Sequence, residues 1–444
     1  MTGEEWGEGP PRPARPRGAR YPSPLGRAAP LQAPRPPLAA RSPPLVPLTL
    51  LLNADVYAPA RLGRRHVLVA GERVVAVAEA APQIAGVPVE TVDLEGRRLV
   101  PGFVDAHVHV TGGGGEAGPE TAAPAPALSA YTTAGVTSVV GLLGTDDTTR
   151  TTAGLLRRVY GLRREGLSAW AWTGGYHLPP TTLTGSVRTD IAAVEPVIGF
   201  GELALSDHRS SQPTFEEVAR VAADCHVAGL MTGKAGVLHL HLGDGARGLA
   251  LVRRVLDETE VPARTLHPTH VNRRAALLDE ALDLMGRGVP IDVTAFPPAS
   301  AGADEVSAAD ALVRALDAGG AANGAGRPAG RLTVSSDGGG CLPHFDGGDL
   351  VRMDFATSGA LADLLAELLG RGVPLEDALP PFTLHPARVL RLAGKGVVAE
   401  GGAADLVVLD DDGRPAHVMA RGRWHVRDGR AVVRGTFEAA PPGV

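Results

Sequence analysis

Eight short apolar runs, spread between residues 99 and 337 and separated by helix-like patterns, restrict this 444-residue chain more than any other feature. They are Leu99 to His109, Thr137 to Gly144, Leu167 to Tyr176, Val197 to Leu205, Val237 to Leu242, Arg264 to Val271, Pro290 to Phe296 and Arg331 to Asp337. Near-continuous apolar runs suit strands buried on both faces, and helices between them supply the crossovers that parallel strands need. The pattern predicts an α/β chain built as a (β/α)8 TIM barrel. A doubly wound open sheet competes with it, but would not gather the ends of eight strands around one centre.

In such a barrel the working side chains stand at the C-terminal strand ends, and several of these runs end in polar residues. The first closes on Asp105-Ala-His-Val-His109, where alternation puts His107 and His109 on one face. The fourth carries Glu202, the fifth ends near His241, the sixth near His270, and the eighth closes on Asp337 before three glycines. Charges at the ends of buried strands are costly unless paired. Imidazoles with carboxylates form the ligand set of zinc and similar divalent ions, so a pair of metal ions would satisfy all six. Any one of these residues alone reads equally well as a solvated rim group. His177, His208, His239 and His267 fall outside the set, although His239 shares a face with His241 by alternation.

Both chain ends read differently. Short alternating strands from Leu48 to about Val100, and again in Ala404 to Asp410, His417 to Ala420 and Arg430 to Arg434, predict one small β-sandwich domain made of residues 47–100 and 396–444. The barrel would then occupy 101–395. Residues 1–46 are rich in Pro, Arg and Ala without apolar periodicity, the composition of a disordered tail. Their arginines would suit a transit peptide, their prolines fit an amphipathic helix poorly, and a start codon set too far upstream explains them equally well.

A net charge of −6 and 4% aromatic residues leave no basic footprint or stacking platform for nucleic acid. No apolar run is long enough to span a bilayer. Cys225 and Cys341 form no redox or metal spacing, which sets a reducing, cytoplasmic location as the expectation.

Several narrower motifs join these features: Val104-Asp-Ala-His-Val-His-Val-Thr-Gly-Gly-Gly-Gly-Glu116, Gly135 to Asp146, Ser206-Asp-His-Arg-Ser210, Pro268-Thr-His-Val-Asn-Arg273 and Ser335-Ser-Asp-Gly338. In order and with few gaps from about residue 48 to 437, they make the chain resemble the isoaspartyl (β-aspartyl) dipeptidases of the amidohydrolase superfamily. The resemblance implies that His107 and His109 ligate one zinc ion, His241 and His270 the other, and that Asp337 is both ligand and proton shuttle. It implies hydrolysis of the β-aspartyl amide of a dipeptide by a metal-bound hydroxide, with Tyr176 stabilising the oxyanion. It further implies a homo-oligomer, commonly an octamer.

One position departs from the family. Its bridging ligand is a carbamylated lysine, and here Glu202 stands there, preceded by a one-residue insertion at Phe200-Gly201. The chain holds only Lys234 and Lys395. Lys234 precedes the fifth strand and would sit at the wrong barrel end, about 23 Å from His241. Glutamate matches the charge of a carbamate but loses on the order of 3 to 4 Å of reach. Two ions are expected if Glu202 bridges and one if it does not.

An isoaspartyl dipeptide carries one ammonium and two carboxylates, and arginine suits carboxylates through bidentate pairing. The resemblance assigns Glu116 to the ammonium and Arg209 and Arg273 to the carboxylates, with Gly114, Thr145 and Tyr176 lining the pocket. Cys341 replaces a substrate-contacting serine, a weaker donor. An amidohydrolase acting on a cyclic amide or an N-acyl amino acid is the alternative within the enzymes, and a catalytically silent oligomeric scaffold is the alternative outside them.

Overall fold

The computed structural model describes residues 48–296, 304–321, 330–346 and 349–438. The predicted tail, 1–46, lies outside them. Strands β1 (Leu48–Tyr57), β2 (Arg61–Ala70) and β3 (Arg73–Ala78) form an antiparallel meander, and β4 (Val89–Asp93) and β5 (Arg98–Pro101) run parallel to β1.

The barrel strands follow: β6 (Phe103–Val108), β7 (Val136–Gly141), β8 (Ser168–Thr173), β9 (Val197–Leu205), β10 (Val237–Leu242), β11 (Leu266–Thr269), β12 (Ile291–Thr294) and β13 (Leu332–Ser335). A hairpin of β14 (Cys341–Asp346) and β15 (Asp349–Phe355) comes next, then β16 (Leu406–Leu409), β17 (Pro415–Ala420), β18 (Arg423–Arg427) and β19 (Arg430–Ala431).

Strands from both ends of the chain make one nine-stranded sheet, joined where β5 meets β16 antiparallel. Leu51, Val67, Leu99, Leu406 and Met419 form its core. The run Leu99 to His109, read as one strand, is two. Gly102 divides them, because a Cβ there would lie 2.2 Å from Thr137 Oγ1. The glycine lets β5 join the sheet while β6 enters the barrel.

β6 to β11 form a parallel sheet in sequential order, and β12 pairs with β13. The remaining seams close by other means. Val108 bridges to Gly338, with His109 N donating to Gly338 O at 2.8 Å. Between β11 and β12, Thr269 Oγ1 donates to Asp292 Oδ2 at 2.7 Å and His270 Nδ1 meets Thr294 Oγ1 at 2.7 Å. The result is the TIM barrel that the eight runs predicted, each run represented by a strand. Crossover helices carry ordinary local signals. The helix Phe215–Thr232 starts in a capping box, Thr214 with Glu217, and ends at Gly233 in the left-handed region.

Candidate metal centre

The side chains singled out at the strand ends meet at the C-terminal mouth of the barrel. His107 lies in β6 and His109 just past it, and both are buried. Glu202 lies in β9 at a break in register: Phe200 pairs with Leu238 and Leu203 with Leu240, so that Gly201 and Glu202 together face His239. This β-bulge falls in the Phe200-Gly201 segment where the resemblance implied an extra residue, and bulges re-aim side chains. Gly201 is required there, since a Cβ would come within 2.8 Å of His239 Cβ. His270 (φ 60°) and Asp337 (φ 54°) both adopt the left-handed backbone just beyond β11 and β13. Non-glycine residues held there store about 1 kcal/mol or more each, a strain found most often at functional sites.

The bulged Glu202 reaches all four histidines. Its Oε2 is 3.0 Å from His241 Nδ1, 3.4 Å from His107 Nε2 and 3.7 Å from His270 Nε2, and its Oε1 is 3.6 Å from His109 Nε2. Asp337 Oδ1 lies 3.0 Å from His109 Nε2 and 3.3 Å from His107 Nε2. The His241–Glu202 contact is a hydrogen bond, whereas the approaches of His107, His109 and His270 are close without being aligned as hydrogen bonds. His107 Nε2, His109 Nδ1, Glu202 Oε1 and Asp337 Oδ1 are buried polar atoms with no hydrogen-bond partner. Of these, His107 Nε2, Glu202 Oε1 and Asp337 Oδ1 face into the cluster; orphaned polar atoms at this depth are costly, and a cation among them removes the cost. Among the described residues, His107 with Glu202 and His270, and His107 with His109 and Asp337, offer ligand atoms within 4.8 Å of one another. The residues therefore fit a metal ion.

The electrostatics agree. Burial pushes Glu202 and Asp337 toward the neutral form, but the imidazoles outweigh it and hold both carboxyls well below the usual range. Burial likewise opposes charge on His107, yet Glu202 and Asp337 push it up to about 9. His270 is driven by burial down to about 3. The site thus attracts positive charge at one point, and a divalent ion placed there would release the proton and use the freed nitrogen.

Two histidines outside the expected ligand set, His239 and His267, stand in a chain behind His107. His107 Nδ1 is 2.8 Å from His239 Nε2, His239 Nδ1 is 3.1 Å from His267 Nδ1, and His267 Nε2 is 3.0 Å from Thr333 Oγ1. Thr333 Oγ1 donates to Asp292 Oδ1 at 2.5 Å. Burial, with neighbouring imidazoles, holds His239 well below its ordinary value, and burial holds His267 down to about 4, so both are neutral. Because the chain ends on a carboxylate, one proton order satisfies every link: His107 donates to His239, His239 to His267, and His267 to Thr333. That order leaves the His107 Nε2 lone pair facing the centre, as a metal ligand needs. His239→Phe, which retains a ring to stack on Trp172 (centroids 5.0 Å apart), is expected to weaken metal affinity about 10- to 100-fold in chelator competition. Unchanged affinity would reduce the relay to packing.

His241 stands apart from both ligand groups. Its Nε2 is 3.0 Å from Asp207 Oδ2, and its Nδ1 faces Glu202 and the Tyr176 hydroxyl, the latter at 2.8 Å. Asp207 only accepts, so His241 Nε2 carries the proton and donates to it, which leaves Nδ1 open toward the centre. Asp207 also receives the Arg209 fork, Nε at 3.0 Å and Nη2 at 2.8 Å. Only its place inside the Ser206-Asp-His-Arg motif signalled it in the sequence. Lys234 is elsewhere, its Nζ donating to Ile191 O and Val194 O at 2.6 and 2.7 Å.

A cleft of about 40 Å³ opens over the cluster, and all seven pocket residues expected from the sequence border it: Gly114, Glu116, Thr145, Tyr176, Arg209, Arg273 and Cys341. Arg209 Nη1 crosses it to Glu116 Oε1 at 3.0 Å. Arg273 keeps a buried Nε without a partner and sets its guanidinium 5.7 Å from the Phe296 ring centre. Cys341 Sγ lies 3.5 Å from Glu116 Oε1. Burial and the Glu116 and Asp337 carboxylates push its thiol up to about 12, so it is not a nucleophile near neutrality. Burial, with Glu202, keeps the Tyr176 phenol well above its ordinary value, a proton donor at any working pH.

A family model described as "Amidohydrolase family" matches residues 98–425. The crystal structure of a beta-aspartyl dipeptidase from the thermophilic, keratin-degrading Fervidobacterium islandicum AW-1, in complex with beta-Asp-Leu dipeptide, is 38% identical, with a TM-score of 0.80 over 87% of this chain and 98% of that one. A second structure of a beta-aspartyl dipeptidase from that organism is 36% identical, with a TM-score of 0.78 over 86% and 98%. Adenine deaminase 2 of Rhizobium meliloti (strain 1021) is 39% identical over 77 residues, a match spanning 17% of this chain and 13% of that protein.

Proposed function

The chain belongs to the amidohydrolase family, and from that premise we propose that it is a metal-dependent dipeptidase that hydrolyses the β-aspartyl (isoaspartyl) amide bond. The observation that carries this reading is the charge pattern above the cluster: one carboxylate, Glu116, and two guanidiniums, Arg209 and Arg273, around one small cleft. An isoaspartyl dipeptide carries the complementary set. Glu116 is paired across the cleft with the Nη1 edge of Arg209, whose other edge is held by Asp207. A zwitterionic substrate can insert its ammonium beside Glu116 and a carboxylate beside Arg209, leaving neither charge unpaired. A neutral cyclic amide would instead have to bury or break the pair uncompensated. The β-aspartyl dipeptidases among the similar structures support the same substrate class.

Zinc is the proposed ion. His107 has one nitrogen available and can serve one ion, so His107, His109 and Asp337 would hold the first, and His241 and His270 the second, with Glu202 between them. Such ions, when bound, acidify water and polarise the scissile carbonyl. Asp337 is placed to accept the proton of the attacking water. Because its carboxyl is held well below the usual range, its acid form is short-lived and passes the proton readily to the leaving amine. The Tyr176 hydroxyl, bordering the cleft beside His241, would donate to the developing oxyanion. Residues 101–395 make the catalytic barrel in this reading. A homo-oligomer and a cytoplasmic location complete it; no helix among the described residues is long and apolar enough to cross a membrane.

The test is selectivity. Metal-loaded protein should cleave β-Asp-Leu and leave α-Asp-Leu intact. Failure on both, with turnover of a cyclic amide, would transfer the assignment to that substrate class.

A further inference from the structure

The opposite end of the barrel holds a second charged concavity, of about 190 Å³, with Arg264, Arg331, Arg388 and Arg391 in its lining. Pro290 and Arg331 immediately precede strands β12 and β13, and Ala235 lies two residues before β10, so this hollow sits at their N-terminal ends. At about 3.3 Å per residue it lies roughly 20 Å from His241 along β10. Four guanidiniums around one hollow repel one another unless something neutralises them.

Nothing among the described residues does. Among the described residues no carboxylate forms an ion pair or hydrogen bond with any of the four guanidiniums, whose one hydrogen bond is donated by Arg391 Nη1 to the Lys234 carbonyl at 3.2 Å. The short helix Leu384–Val389 ends beside Arg388, but a helix C-terminus supplies about half a negative charge against four positive ones. Arg391 is also held in the left-handed backbone (φ 51°), a strained placement that fixes where its side chain leaves the chain. The field reaches His226, whose value is lowered by burial and then by Arg264 and Arg391.

We propose that this hollow binds a small phosphorylated anion, best one bearing two phosphate groups. Forked guanidiniums match phosphate oxygens in pairs, and two phosphates supply about four negative charges for four positive ones. Among the described residues the lining has no aromatic ring to offer a nucleobase as a stacking surface. A phosphorylated sugar or free phosphate fits better than a nucleotide.

The experiment titrates the metal-loaded full chain with inorganic phosphate, fructose 1,6-bisphosphate and ADP in separate arms, following calorimetric binding and Tm, with sodium chloride at matched ionic strength. Phosphate at a hundredfold its dissociation constant should raise Tm by about 3 °C. The bisphosphate should bind tighter than phosphate or ADP, and the Arg331→Gln/Arg388→Gln variant, verified as folded by circular dichroism, should weaken each at least tenfold. Equal binding by the variant, or the same shift from chloride, overturns the proposal. A variant that changes assembly mass while no phosphate compound binds wild type also overturns it, because the arginines then face a second copy of the chain. Tighter binding of ADP than of the sugar bisphosphate refutes the preference for ligands without a base.

Discussion

Asp337→Asn is expected to cut kcat for β-Asp-Leu about 10³-fold, within the range that a positioned acid-base group contributes. The substitution keeps shape and one acceptor oxygen but removes the charge and the ability to take a proton. Asp337 Oδ1 sits 3.0 and 3.3 Å from His109 and His107, so some metal affinity should be lost as well. The two roles separate experimentally. With metal restored to the wild-type content by added zinc, a rate still reduced a thousandfold assigns the loss to proton transfer. Recovery of the rate on remetallation would leave Asp337 a ligand alone. The Asp337 carboxyl is pulled below its ordinary value by His107 and His109 against burial, so it is ionised throughout the neutral range and ready as a base.

The sequence carried the site further than it carried the surroundings of the site. His107, His109, Glu202, His241, His270 and Asp337 could be picked out because polar residues at the ends of apolar runs have few roles, and eight runs fix where their ends meet. The division of the first run at Gly102 was not legible, because apolar residues continue on both sides and only Thr137, distant in sequence, makes the glycine necessary. The role of His239 and His267 was not legible for a related reason: a shared face says nothing of depth. His239 shares a face with His241, yet it lies one layer lower, stacked on Trp172 and bonded to His107. Asp292 in Ile291-Asp-Val-Thr294 gave no signal of its own, although it accepts from Thr269, Thr333 and Ser335 and closes the barrel beneath the cluster. The resemblance supplied the cleft residues, and the structure gathers them around one opening.

Glu202→Ala should have the broadest effect of any single change. Its carboxylate approaches all four histidines within 3.0 to 3.7 Å, so its removal takes away the group common to both halves of the centre. Metal content is expected to fall by at least one ion per chain, and kcat/KM on β-Asp-Leu by about 10³-fold or more, since polarisation and water activation fail together. The metal-free protein provides a separate readout. Glu202 is held below 4.5 and contributes stability that is present above that value and lost as pH falls toward its folded value. His107 is raised from 6.5 to about 9 and contributes stability that is full below 6.5 and lost as pH rises through 9. The Tm difference between metal-free wild type and variant should therefore be greatest between pH 4.5 and 6.5 and shrink as pH approaches 9. Glu202→Gln separates charge from volume, losing the pH dependence while keeping the packing. Full activity and unaltered metal content in Glu202→Ala would remove the bridge and leave a single ion on His107, His109 and Asp337.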